Sequence, residues 1–244
     1  MRTSLVIPCY NEQESIRQLC ERLEALVQDI GSTDSIEVIF VDDGSTDRTL
    51  ENLASHATNL PYRIVRHERN RGLGAALRTG IRASDGEEIV TLDSDCTYDP
   101  GETPRLLEAL RAGASVVTGS PYHPEGHVEG VAVWRLVLSR SLSHLYSLVL
   151  PVRLNTYTSM FRAYRRSALP DLDALDDGFL AVTQLLVEPI LRGLTVVEVP
   201  TTLHVRRYGQ SKMSVMRVGL SHLRYIGRVV RMRHHMSTTA TERS

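Results

Sequence analysis

The chain has 244 residues, 42% of them hydrophobic, which is enough for one sizeable core, and α/β domains of this length are commonly single. A formal net charge of -1 argues against nucleic acid as a partner. Three scattered cysteines, Cys9, Cys20 and Cys96, are too few for a disulfide framework or a zinc site and fit a reducing compartment.

The first apolar run, Ser4 to Ile7, is too short for the core of a signal peptide and reads as a strand. It opens into "PCYNE", and Glu14 to Val27 then carries Ile16, Leu19, Leu23 and Leu26 at helical spacing. Glu37 to Val41 is the second strand, closing on "DDGSTDRTLENLA", where Ser45 or Asp47 is placed to cap a helix over Thr49 to Ala54. The third strand, Arg63 to Arg66, leads through "RNRGLG" into a helix. Glu88 to Leu92 is the fourth and runs into "DSD"; a helix over Thr103 to Arg111 and a strand at Ser115 to Thr118 follow.

This alternation implies an α/β fold with a mostly parallel sheet covered on both faces. In such sheets ligands sit beyond the carboxyl ends of the strands. "PCYNE", "DDGS", "RNRGLG" and "DSD" all fall on that edge, so the strand ends gather polar residues in one place. "GLG" lacks the full G-x-G-x-x-G and does not imply a dinucleotide cofactor.

The second half begins with "VAVWRLVLSRSLSHLYSLV", residues 131 to 149, whose apolar face includes Val133, Leu136, Val137, Leu142 and Leu145 and is broken by Arg135 and Arg140. It is either a core helix or a helix lying at a membrane interface. From Val199 to Thr241 there is no Asp or Glu, while Arg206, Arg207, Lys212, Arg217, Arg224, Arg228, Arg231 and Arg233 all fall there. Within it Val215, Val218, Leu220, Leu223, Ile226, Val229 and Val230 form an apolar stripe. Such a basic amphipathic helix lies on an anionic membrane surface or packs against the domain with a wet basic face. No window approaches the roughly 18 to 20 apolar residues that span a bilayer. The expected division is one domain over 1–212, whose two halves meet at about residue 120, then a basic amphipathic helix and short flexible tail over 213–244.

Asp93 and Asp95 are the pair that most needs a reason. Aspartate is depleted in strands, and neighbouring carboxylates repel unless a proton or a metal ion sits with them. A cap and turn before Pro100 is the plain alternative, although one Asp, Ser or Asn would serve it. D-x-D suits metal-assisted transfer from a diphosphate, because Mg²⁺ or Mn²⁺ takes oxygen ligands from one or two carboxylates and the substrate phosphates. The ion then offsets charge on the departing diphosphate, and a nucleotide sugar is one such donor.

"LVIPCYNEQESI", "IFVDDGSTD", "RGLGAALRTGI", "VTLDSDCTYDP", "FRAYRR" and "RRYGQSKM" occur in the order seen in family 2 glycosyltransferases. Over roughly residues 4 to 215 the chain resembles that family, and most of all its polyprenyl-phosphate branch, which includes the dolichol-phosphate mannose synthases. The resemblance implies a Rossmann-like GT-A fold and an inverting transfer. It places Pro8, Tyr10, Glu12, Asp42 and Asp43 around base and ribose, Arg71 near the nucleotide, and Asp93 and Asp95 on the divalent ion. Arg206 and Lys212 would lie opposite the donor and acceptor phosphates, making Asp95, Arg206 and Lys212 the residues closest to catalysis.

Two departures stand out. Gln184 occupies a position where many members carry an acid, so either Glu188 or the pair Asp176 and Asp177 substitutes, or no protein base is needed. Thr156 stands where Asp is common, and Thr97 rather than Gln follows the D-x-D turn. A phosphate monoester acceptor is already an anionic nucleophile, whereas a hydroxyl ordinarily needs a base.

The reading that results is transfer of a hexose, mannose or glucose, from a nucleotide sugar to a polyprenyl phosphate at the cytoplasmic membrane face. GDP-mannose is the first donor and UDP-glucose the second, with the protein held peripherally on the membrane. Two alternatives stay open: a soluble family 2 enzyme with a hydroxyl acceptor, and a non-catalytic nucleotide-sugar-binding module.

Overall fold

A strand buried on both faces is apolar except where its polar side chains find partners, and the first two strands are built this way. In β1 (Arg2–Cys9) and β2 (Ser35–Asp42) every residue after the first is buried. The computed structural model describes residues 1–30, 35–206 and 215–241. The remaining elements are α1 (Ile16–Ile30), α2 (Thr49–His56), β3 (Tyr62–Arg66), α3 (Leu73–Ala83), β4 (Glu88–Thr91), α4 (Thr103–Arg111), β5 (Val116–Ser120) and β6 (His127–Glu129). They continue with α5 (Val133–Val149), β7 (Arg162–Arg165), α6 (Leu180–Leu191), β8 (Val196–Pro200), β9 (Thr202–His204) and α7 (Val215–Thr241).

The main sheet has the order β3-β2-β1-β4-β7-β5-β8, and β6 pairs with β9 in a separate ribbon. The chain builds outward from β1 to β3, then returns to the other side of β1 with β4, so the direction of winding reverses between β1 and β4. That reversal opens the crevice in which α/β sheets hold ligands. Cores lie on both faces: Leu5, Ile7, Phe40 and Val90 pack under α1 and α4, while Val6 and Ile89 pack with Leu77, Ile81, Leu185 and Leu186.

The expected strand through Leu92 is shorter as formed. β4 ends its ladder at Thr91, and only the Leu92 N–H continues it, to Val6 O at 3.1 Å, so Asp93 and Asp95 stand on a turn beyond the strand. β7 was not foreseen from the pattern of its residues. It runs antiparallel between β4 and β5, with Arg162 opposite Thr91 on one side and Thr118 on the other. Arg162 is fully buried, and its guanidinium donates to Thr118 Oγ1 at 3.1 Å, to Tyr157 O at 2.8 Å and to Val182 O. A buried cation is tolerable only when its donors are satisfied in this way. Arg165 and Arg166 act alike, donating to the carbonyls of Ala114 and Leu110 and of Gly86 and Ser84.

The C-terminal helix docks through part of the expected stripe, Ile226 and Val229, together with polar residues outside it. His222, Tyr225 and Val229 are buried, while Leu220, Leu223 and Val230 are exposed. The polar tips decide this, because each finds a partner inside: Tyr146 Oη and His222 Nδ1 are 2.9 Å apart, and Tyr225 donates to Glu188 Oε1 at 2.8 Å. α5 likewise buries Ser143 and Tyr146 and leaves Val133, Trp134, Val137, Leu138 and Leu148 outside. Among the described residues no helix is long and apolar enough to cross a membrane.

At the amino edge of the sheet Glu37 accepts from Ser4 Oγ at 2.5 Å, from the Asp85 and Gly86 amides, and from Arg2 and Arg63 at 2.9 Å each. Burial alone would raise its pKa, but the hydrogen bonds from Ser4, Asp85 and Arg63 and the charge of Arg2 outweigh it and pull the carboxyl down to about 2. A carboxylate lowered on folding contributes stability above its unfolded pKa of 4.5 and loses it as pH falls toward about 2. The urea midpoint is therefore expected to drop across that window. Glu37→Gln should be less stable than the parent at pH 7 by about 2 kcal/mol, allowing for the half-exposed arginines, with the gap closing at the acid end.

Candidate functional site at the carboxyl edge of the sheet

Each strand end contributes by a different local device. After β1, Asn11 adopts φ 52, a left-handed conformation that Asn tolerates. Its Oδ1 accepts from the Thr46 amide at 2.8 Å, its own amide donates to Ser45 Oγ at 2.9 Å, and the Glu12 amide donates to Thr49 Oγ1 at 2.7 Å. The turn is thereby sewn to the loop after β2. Asp47 accepts from the Thr49 amide at 2.9 Å one residue before the N-cap of α2, which is Arg48 rather than the expected Ser45 or Asp47.

The carboxylates of "DDGS" are both enclosed. Asp42 Oδ1 accepts from the Ser45 amide at 3.0 Å, and its Oδ2 lies 3.1 Å from Arg66 Nε. Asp43 accepts from the Arg71 and Gly72 amides at 2.9 and 2.8 Å, with His67 Nδ1 at 2.6 Å. Gly44 has φ 71, and a Cβ there would stand 2.4 Å from the Arg69 carbonyl carbon. The segment therefore clasps the loop that follows β3 and fixes the backbone of Arg71, whose side chain is exposed. Pro8 is buried at the end of β1, and Tyr10 is half-buried beside it.

"RGLG" meets the 176–178 loop rather than open solvent. At Gly72, with φ 100, a Cβ would lie 2.4 Å from Asp177 O. That carbonyl accepts from the Gly74 and Ala75 amides, occupying the first turn of α3.

At the fourth strand end, Asp95 Oδ1 accepts from the Thr97 amide at 3.1 Å and from Thr97 Oγ1 at 2.9 Å. Cys96 turns with φ 55, and Thr97 O accepts from the His204 amide at 2.8 Å. His204 closes β9 two residues before Arg206, so the D-x-D turn and the basic segment are joined through Thr97. Arg206 then bridges the edge: one terminal nitrogen is on Glu12 Oε1 and the other is 3.4 Å from Asp95 Oδ2. Lys212 lies outside the described residues.

Among the described residues the Asp93 carboxylate receives no hydrogen bond. Burial, and then the charge of Asp95, push its pKa up to about 8, with Glu12 adding to the rise and Arg206 opposing it. Two adjacent hard-oxygen donors, one of them short of compensation, fit a small divalent cation. Among the described residues no third His, Cys, Asp or Glu completes a metal cluster with them. That matches an ion whose remaining positions belong to phosphate and water.

The acids weighed against Gln184 are otherwise engaged. Gln184 Oε1 accepts from the Asp176 amide at 2.7 Å, Asp177 pairs with Arg78, and Glu188 faces Tyr225 on α7. Thr156 is buried, and its amide donates to Glu198 Oε1 at 2.9 Å; Glu198 also collects the Asn155 amide and side chain. Asn11 and Glu198 are positioning residues that sequence reasoning passed over. The Asn after an apolar strand was a readable turn signal, whereas Glu198 reads only as an ordinary position in a strand.

A mostly parallel sheet reversing between β1 and β4, with a D-x-D turn at its carboxyl edge, is the architecture of a GT-A glycosyltransferase. The chain belongs to glycosyl transferase family 2, whose family model matches residues 4–173. It is similar to the dolichol-phosphate mannosyltransferase of Pyrococcus furiosus, with 30% identity over 235 residues covering 95% of this chain, and it spans 64% of the length of that protein. It is 36% identical over 221 residues to the polyprenol monophosphomannose synthase of Mycolicibacterium smegmatis, covering 87% of this chain and 81% of that one. The fold is shared with glucosyl-3-phosphoglycerate synthase of Mycobacterium tuberculosis, solved with Mn²⁺, uridine diphosphate and phosphoglyceric acid. The TM-score is 0.67 at 23% identity, over 95% of this chain and 78% of that chain.

The clasp at Asp43 makes a direct test possible. Asp43→Asn weakens three contacts to one carboxylate and is expected to cost about 2 kcal/mol, or roughly 5 °C in the thermal midpoint of the ligand-free chain. An unchanged midpoint would show that the clasp contributes nothing to the fold.

Proposed function

We propose that this chain is an inverting, metal-dependent glycosyltransferase that moves a hexose from a nucleotide sugar to a polyprenyl phosphate. The observation that carries the reading is the acidic pair Asp93 and Asp95 at the winding reversal, faced by Arg206. Asp93 and Asp95 would hold Mg²⁺ or Mn²⁺, which when bound supplies positive charge to the diphosphate. Pro8, Tyr10, Glu12 and Arg71 line the approach to base and ribose, with Asp42 and Asp43 shaping the loops that do so. Arg206 and Lys212 serve the phosphates.

In the reaction the bond from the sugar anomeric carbon to the diphosphate oxygen breaks, and a bond to an acceptor phosphate oxygen forms on the opposite face. A phosphate oxygen carries its negative charge into the reaction, so no side chain need take a proton. Gln184 fits this, since it holds the Asp176 amide and has no basic oxygen to offer. The named relatives act on dolichol or polyprenol phosphate and on mannose, which favours a lipid phosphate and makes GDP-mannose the first donor to test and UDP-glucose the second.

A lipid acceptor asks for a membrane-facing surface. Trp134, Val137, Leu138 and Leu148 of α5 and Leu220, Leu223 and Val230 of α7 are exposed, with Arg135, Arg217, Arg224 and Arg231 among them. Exposed aliphatics beside arginines suit an anionic interface, and the protein is read as peripheral on the cytoplasmic membrane face.

Purified protein with Mn²⁺ or Mg²⁺ should release nucleoside diphosphate from one nucleotide sugar only when a short polyprenyl phosphate is present. Asp95→Ala should lower that turnover by about a thousandfold or more; near-normal turnover that still requires metal would sink the assignment. Trp134 is the chain's one tryptophan and more than half exposed, so it reports on its own face. Its emission should shift to the blue on adding phosphatidylglycerol vesicles, with binding weakened in about 1 M salt as the basic contacts are screened. No shift at any lipid concentration would remove α5 from the interface.

A further inference from the structure

Thr97 commits Asp95 Oδ1 by two hydrogen bonds, which leaves Oδ2 as the oxygen through which Asp95 can take a metal ion. Oδ2 is also the oxygen that Arg206 faces, at 3.4 Å. The other terminal nitrogen of Arg206 is on Glu12, whose backbone is tied to Thr49 and whose Oε2 accepts from Ser15 Oγ at 3.3 Å. The guanidinium is thus suspended between a fixed anchor and a ligand oxygen.

We propose that Arg206 is the resident cation of this acidic site: it holds Asp95 Oδ2 until a divalent ion claims that oxygen, so metal entry requires Arg206 to release Asp95. The inference rests on the metal reading of Asp93 and Asp95 and adds a competition within it. Three arguments support it. The acidic side chains of Glu12 and Asp95 lie on either side of the Arg206 guanidinium, which bridges them across the carboxyl edge. A guanidinium cannot shed its proton, so it relieves the repulsion by position alone. A divalent ion binds oxygen at about 2.0–2.2 Å, too close to share one carboxylate oxygen with an arginine nitrogen on the same side.

Displacement leaves the guanidinium held at Glu12, and the nitrogen released from Asp95 can turn toward an anion. A diphosphate arriving with the metal is such an anion, and its pull on Arg206 offsets the loss of Asp95. Metal alone should therefore bind weakly, and metal with nucleoside diphosphate much more strongly.

The test is a Mn²⁺ titration of the full-length chain, reading free Mn²⁺ by electron paramagnetic resonance, first without and then with GDP or UDP. Arg206→Gln removes the competing charge, and its Mn²⁺ dissociation constant without nucleotide should be about tenfold lower than the parent's. Arg206→Lys keeps a cation and should stay near the parent, which separates charge from damage to the fold. Asp95→Asn should lose binding, showing that the signal belongs to this site. With nucleoside diphosphate the advantage of Arg206→Gln should disappear. Equal or weaker nucleotide-free Mn²⁺ binding by Arg206→Gln, with Asp95→Asn still defective, overturns the competition and leaves the metal site standing. Mn²⁺ binding by no version, with or without nucleotide, or binding unaffected by Asp95→Asn, overturns the metal reading itself.

Discussion

Carboxylates must be compensated wherever a fold buries them, and the two edges of this sheet solve that requirement in opposite ways. At the amino edge the compensation is complete. Glu37 meets two arginines, a serine and two amides, and Glu88 meets Thr3 and both forks of Arg111. At the carboxyl edge Glu12, Asp93 and Asp95 face Arg206, and among the described residues the hydrogen bonds go to Asp95 and Glu12 rather than to Asp93. Glu37 is accordingly pulled down to about 2 while Asp93 is pushed up to about 8. One edge uses its charges to hold the strands together, and the other gathers acids whose charge a bound cation would offset.

The same logic explains the arginines of "FRAYRR". A four-residue antiparallel strand inserted into a parallel sheet has little apolar surface with which to hold its place. Arg162, Arg165 and Arg166 supply what is missing by reaching carbonyls on four separate segments, from Ser84 to Val182. These cations point at backbone oxygens and not at the crevice. Their chemistry is structural, although a run of arginines in a phosphate-handling family invites the other reading.

That contrast marks how far the sequence could be read. The strands β1 to β5 and the helices between them were visible because each is an apolar run of the right period bounded by Gly, Asp or Asn. The placement of four polar segments at one edge followed from the alternation alone. β7 was hidden because its stability comes from side chain to carbonyl bonds, which leave no hydrophobic period. Asp42 and Asp43 were legible as polar residues at a strand end, but their engagement with Ser45, Arg66, His67 and the 71–72 amides depends on loops that approach through Gly44 and Gly72. The link from Thr97 to His204 and so to Arg206 joins segments more than a hundred residues apart, and no local pattern encodes it.

The C-terminal helix shows the same limit from the other side. Amphipathic reasoning left the aliphatic stripe either on a membrane surface or against the domain, and α7 divides it, docking through His222, Tyr225 and Val229 and leaving Leu220 and Leu223 out. Burial lowers the His222 pKa to about 4, so it stays neutral and can share a hydrogen bond with Tyr146. A helix that anchors itself partly by satisfied polar tips can leave several of its aliphatic side chains outside. On α5 the same division holds, with Tyr146 inside and Trp134, Val137 and Leu138 outside. Two neighbouring helices that each invert the usual arrangement leave apolar surface that the protein's own core does not use. Such surface is costly in water, at about 25 cal/mol per Å², and is retained where something apolar covers it. Under the proposed reaction the acceptor brings that cover with it, since a polyprenyl phosphate presents an anionic head to the basic segment and a hydrocarbon tail to these faces.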